Sequence, residues 1–175
     1  MRIYYEDPAF RHIQVDRVAL TAFLREHGVT DQDIQRLCIR FIDRMPEGYS
    51  PDFPAEQIAG SYNNSCSVYV CTKGRANKIL ALNRTLLHEL RHYMKNGYQP
   101  GEAAIPYWHR PSEIDARSFA EQHYKSQMLL YQVSISGEEP ATPPERVITH
   151  SESSSLLIVA TIGVIIVKCL WKYGS

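Results

Sequence analysis

The string LNRTLLHELRHYMKNG, residues 82–97, holds the residues best suited to chemistry. Its spacing predicts a helix opening near Asn83 and closing at Gly97, with His88 and His92 four apart on one face. Side chains so spaced start about 5–6 Å apart, so two imidazoles can converge on one ion. Zinc accepts imidazole nitrogen at about 2.0–2.1 Å and keeps a position open for water when only three protein groups bind it. Glu89 follows the first histidine directly, so its carboxylate emerges beside that ion, where it can take a proton from the activated water. This is the HExxH pattern, two ligands and a base on one rigid element. With 7 histidines in 175 residues, chance would place such a string about 0.02 times in the chain. An exposed helix with solvated charges is the plainer alternative, but it gives no reason for the pattern that follows.

A third ligand is expected from HRPSEIDARSFAEQHY, residues 109–124. Pro111 punctuates, Ser112 can cap a new helix, and Asp115 stands where a capping partner belongs. Glu113 falls in the first turn, with Ala116, Ala120 and His123 at helical spacing on roughly its face. The small alanines let two helices approach closely, which would bring Glu113 to the metal. Asp115 is the rival, with a shorter side chain and a competing capping role; a favourable charge at a helix N-terminus is the ordinary explanation for Glu113. His109 is a further candidate, as ligand or as donor to the reacting carbonyl oxygen. Tyr107 and Arg110 share the same connection and are the other candidates for stabilising an oxyanion.

HELRH followed 21 residues later by E-x-D-A-x-x-F-A resembles the compact zincin metallopeptidases of the gluzincin kind, closest to the small domains of the ImmA/IrrE family. The resemblance spans roughly residues 58–131. It implies an α+β, zincin-like minimal domain: a small antiparallel or mixed sheet packed on an HExxH helix and a Glu-bearing helix. It also implies His88, His92 and Glu113 as zinc ligands and Glu89 as general base. The strand near residues 66–72 would then be the edge along which an extended peptide substrate lies. The metzincin continuation is absent, because Gly97 stands five residues after His92 and no third histidine follows. The expected function is zinc-dependent hydrolysis of peptide bonds, with a peptide or protein substrate; the alternative is a non-catalytic metal-binding or interaction module.

The elements that must position these residues are read from apolar spacing. Residues 16–27 predict a helix ended by Gly28. A second helix begins at a Thr30 cap, with Ile34, Leu37, Cys38, Phe41, Ile42 and Met45 along one side until Pro46 and Gly48 stop it. Residues 58–62 and 66–72 are β-prone runs separated by Asn63 and Asn64, a hairpin signal, and residues 79–82 are a candidate for one more strand.

The balance of 19 basic against 19 acidic residues excludes a polybasic nucleic-acid binder, and no nucleic-acid partner is expected. Hydrophobic content of 44% and charged content of 22% are those of a globular chain. Four cysteines are too few for a disulfide scaffold, and Cys66 and Cys71 are compatible with pairing or with free thiols. Residues 1–133 read as the metallopeptidase domain. Residues 134–155, rich in Pro, Ser and Glu with a net charge of −3, read as a flexible linker. Residues 156–173 are apolar around Lys168 and Lys172 and read as a C-terminal transmembrane helix, a single-pass membrane anchor. The two lysines favour an outward-facing domain by the positive-inside rule, whereas the charged, aromatic N-terminus without a secretory leader favours a tail anchor. The expected location of the catalytic domain is the cytoplasm.

Overall fold

The computed structural model describes residues 1–7, 12–50, 53, 55–63, 65–75, 78–97 and 99–133. In chain order these form β1 (Arg2–Tyr5), β2 (Ile13–Val15), α1 (Arg17–Glu26), α2 (Asp31–Arg36), β3 (Cys38–Ile42), β4 (Gly60–Asn63), β5 (Ser67–Cys71), α3 (Ile79–Met94), α4 (Pro111–His123) and β6 (Leu130–Gln132). Short 3-10 turns cover Glu102–Ala104 and Tyr107–His109 in the connection from α3 to α4.

Four strands make one mixed sheet in the order β1-β3-β5-β4. The β1–β3 and β3–β5 pairs are parallel, and β4 returns antiparallel to β5 with Gly60 opposite Val70 and Asn63 opposite Ser67. Asn63 shapes that hairpin: its Oδ1 accepts the backbone N–H groups of Ser65 at 3.2 Å and Ser67 at 3.0 Å, an Asx-type turn. A second, two-stranded sheet pairs β2 with β6, tying the N-terminal segment to the residues after α4.

Helix α3 lies against this framework through Leu82, Leu86, Leu87, Leu90 and Tyr93, all buried in one core with Ile39, Phe41, Val68 and Val70 of the sheet. Asn83 has no accessible surface, yet is satisfied on every side. Its Nδ2 donates to the carbonyls of Tyr124 at 3.0 Å and Gln127 at 2.8 Å, and its Oδ1 accepts the N–H of Leu129 at 3.0 Å. This one amide fixes the end of α4 and the start of β6 onto α3. Arg91 joins the same two helices from the other side, its Nε 2.6 Å from Asp115 Oδ2 and its guanidinium over the Phe119 ring at 4.7 Å.

Several expectations are corrected. The architecture of an α+β domain plus a C-terminal transmembrane helix reduces, in the described residues, to the α+β domain with its mixed sheet and four helices. Among those residues no helix is long and apolar enough to cross a membrane. The longest, α3, has 16 residues and so spans about 24 Å against the ~30 Å of a bilayer core; it also carries Arg84, Glu89 and Arg91. The segments 134–155 and 156–173, read as linker and anchor, lie outside the described residues. The second helix stops at Arg36, and residues 38–42 are the strand β3. Leu37, Ile39 and Phe41, two residues apart, are all fully buried, whereas Arg40 between them is partly exposed and paired with Glu6, the two-residue alternation of a strand with one face on the core. Residues 79–82 open α3 rather than adding a strand. The strand near residues 66–72 is interior, between β3 and β4; the edge strands are β1 and β4, and β4 is the one beside Glu89.

Candidate metal centre

The HExxH residues lie in the C-terminal half of α3, whose helix is packed between the sheet and α4, and His88 and His92 face the first turn of α4. There Pro111 occupies the opening position, where its missing N–H costs nothing. Ser112 does not cap the helix as its position suggested. Its backbone N–H and hydroxyl both donate to the carboxylate of Glu102, which also accepts the N–H of Gln99 at 3.3 Å. Glu102 is thereby the acceptor that the first turn of α4 uses, and it holds the connection so that Glu113 faces α3.

Ligand-type atoms of three residues meet as a result. His88 Nε2 stands 3.2 Å from His92 Nε2 and 3.2 Å from Glu113 Oε2, and His92 Nε2 stands 3.4 Å from Glu113 Oε1. No other group of three or more His, Cys, Asp or Glu side chains among the described residues is so arranged. Bonds of about 2.0–2.1 Å at tetrahedral angles set ligand atoms about 3.3–3.4 Å apart, so this triangle has the size that one small divalent ion requires. Glu113 has no accessible surface, and neither of its oxygens receives a well-aligned hydrogen bond from the protein. A buried carboxylate so placed is costly unless something else satisfies it, and a cation held between it and two imidazoles does so. The donor set, two nitrogens and one carboxylate, also suits such an ion.

Electrostatics agree with the geometry. Burial pushes the Glu113 carboxyl up, but the facing imidazoles of His88 and His92 outweigh it, with help from the Tyr107 hydroxyl, and hold the group far below the usual carboxylate range. Burial also lowers the pKa of His88, favouring the neutral imidazole that metals bind. Glu89 goes the other way: burial, then repulsion from Glu113, raises its carboxyl well above the ordinary value against the opposing backbone N–H of Tyr62. Its Oε1 lies 4.0 Å from His88 Nε2, beside the triangle and not a vertex of it.

Gly60 on the edge strand makes this closeness possible. A Cβ there would stand 2.7 Å from Thr85 Cγ2, 2.8 Å from the Tyr69 carbonyl oxygen and 3.0 Å from Glu89 Cγ. The bare backbone of β4 therefore presses against α3 at the position of Glu89. His88 and Glu113 of the triad, with Glu89, line a cleft of about 810 Å³ that runs from β4 to the Tyr107–His109 turn.

The remaining candidates divide. Asp115, the rival ligand, is taken up by Arg91, with 2.6 Å from Nε to Oδ2 and 3.0 Å from the terminal nitrogen to Oδ1, and stands outside the triad. Tyr107 and Arg110 line the cleft, whereas His109 is exposed on its turn and does not. Cys66 and Cys71 are free thiols, and burial pushes that of Cys71 up to about 11. Sequence reasoning missed Glu102, Asn83 and Gly60; of these only Gly60 carried a local signal, a glycine inside a β-prone run. No protein-family model matches the chain, and no curated protein or solved structure matches it either.

Proposed function

We propose that this protein is a zinc-dependent peptidase of compact, zincin-like design, with His88, His92 and Glu113 as the metal ligands. The carrying observation is the triangle of Nε2, Nε2 and carboxylate oxygens at 3.2–3.4 Å, with both Glu113 oxygens lacking a well-aligned protein donor. Bound there, zinc supplies Lewis acidity, which polarises a carbonyl and makes water a nucleophile near neutral pH.

The chain's own residues do the rest. Glu89 accepts the proton of the attacking water and delivers it to the leaving amine nitrogen; a buried carboxyl with a raised pKa suits both transfers. Tyr107 helps to fix the Glu113 carboxylate and lines the cleft where an oxyanion would develop. The open edge of β4, beside Glu89, offers backbone groups to an extended peptide, the way strands are commonly recognised.

Glu89→Gln tests the reading. The variant is expected to keep its zinc and lose peptide cleavage by about 10²–10⁴-fold, the usual contribution of a general base. Cleavage at the wild-type rate would remove Glu89 from the mechanism. Full zinc retention without cleavage by the wild-type protein, on a diverse peptide pool, would leave a metal-binding module in place of an enzyme.

A further inference from the structure

The cleft beside the triad has an uneven charge distribution. Five of its lining residues are cationic: Arg75, Lys78, Arg84, Arg110 and Arg117. Its described lining includes only two carboxylates, Glu89 and Glu113, and both sit at the floor beside the histidines. Arg84 is held in an ion pair with Glu121. Arg75, Lys78 and Arg117 have no carboxylate within 4 Å among the described residues. Arg75 makes only a long contact of 3.5 Å to the Thr85 hydroxyl, and Lys78 is exposed. Arg117 donates one terminal nitrogen to the Trp108 carbonyl at 2.7 Å and lies over the Trp108 ring at 5.2 Å, while its other terminal nitrogen is buried without a partner.

These cations come from different elements of the cleft lining. Arg75 and Lys78 precede α3, whose N-terminus has no side-chain cap and adds positive partial charge at that end. Arg117 comes one turn after Glu113 on α4. A divalent ion at the triad would neutralise the two floor carboxylates, leaving the described walls with a net positive field. A low-dielectric cleft focuses such a field on whatever enters.

We infer that the cleft selects acidic peptides, with Arg75, Lys78 and Arg117 reading their carboxylate side chains. The inference rests on the peptidase reading for the peptide nature of the occupant; the sign of its charge comes from the cleft walls alone.

The test uses the full chain carrying Glu89→Gln, loaded with zinc, and three fluorescein-labelled peptides of one length that differ only in bearing Glu, Gln or Lys at the central positions. Fluorescence anisotropy is expected to show the Glu peptide binding about tenfold or more tighter than the Gln peptide, with the Lys peptide weakest. That preference is expected to shrink as salt rises. Adding Arg75→Glu and Lys78→Glu together is expected to abolish or invert it. Equal affinities for the three peptides, an unchanged preference in the charge-reversed protein, or no binding of any peptide overturns the inference. Cleavage by the unsubstituted enzyme, run in parallel, separates the two claims. Glu and Gln peptides both cleaved and bound alike would remove the charge selectivity and leave the peptidase. A charge-dependent preference with no peptide cleaved would do the reverse.

Discussion

Glu102, in the connection that leads into α4, and Glu113, in the first turn of that helix, are both almost wholly withdrawn from solvent. Glu102 is surrounded by donors: the N–H groups of Gln99 and Ser112 and the Ser112 hydroxyl all point at its carboxylate. Burial would raise its carboxyl, but those donors bring it below its ordinary value. Glu113 has no such cradle. Its neighbours are the ring nitrogens of His88 and His92, atoms that bind metals as neutral acceptors. Two carboxylates of equal burial therefore do different work. One closes a loop with hydrogen bonds, and the other presents lone pairs to a point it shares with two imidazoles. What a buried acid faces, more than its burial, separates a structural group from a candidate ligand.

Glu113→Ala should break that contrast most sharply. Zinc affinity is expected to fall by well over the ~100-fold that marks the upper end for outer-shell partners, as read by competition with a chelator. The metal-free fold should survive, because an unsatisfied buried carboxylate has been removed. Glu102→Ala should do the opposite. It leaves three donors without an acceptor and is expected to destabilise the protein by about 3 kcal/mol in urea denaturation, with metal stoichiometry unchanged. Tyr107→Phe removes a hydroxyl that helps to fix Glu113 and is expected to weaken zinc by about tenfold, the lower end for such partners.

Asp115 sharpens the comparison at the smallest scale. It lies two residues from Glu113, yet the hydrogen bonds and charge of Arg91 hold its carboxyl below the ordinary value. A group so lowered stabilises the fold above its unfolded pKa, near 3.9, and loses that contribution as pH falls toward the folded value. The pair is half-exposed on the aspartate side, so Asp115→Asn is expected to cost only about 1 kcal/mol at pH 7. The difference between variant and wild type should close below about pH 4 in urea melts.

The site was more legible in the sequence than the fold around it. His88, Glu89 and His92 sit at one helical period, so a local rule is enough to place them together. Glu113 could be proposed because α4 shows its own start signal at Pro111. Choosing it over Asp115 becomes physical only when Arg91, 24 residues away, is seen to occupy the aspartate. Residues 34–45 misled for a different reason. Their apolar positions fit a helix, but Ile39 lies off that helical stripe and is fully buried with Leu37 and Phe41, the two-residue period of a strand. Which strands lie at the edges of the sheet follows from the β3–β5 pairing across about thirty residues, which no local pattern encodes. Glu102 was hidden similarly, since its main partner Ser112 lies ten residues on and looked like a cap of its own helix.

The most direct test of the centre is metal content. The 175-residue chain, loaded with zinc and freed of excess by gel filtration, should carry one zinc per chain by elemental analysis, and its His88→Ala and Glu113→Ala variants close to none. A wild-type protein that retains no zinc, or a Glu113→Ala variant that still retains one equivalent, would contradict the proposed centre.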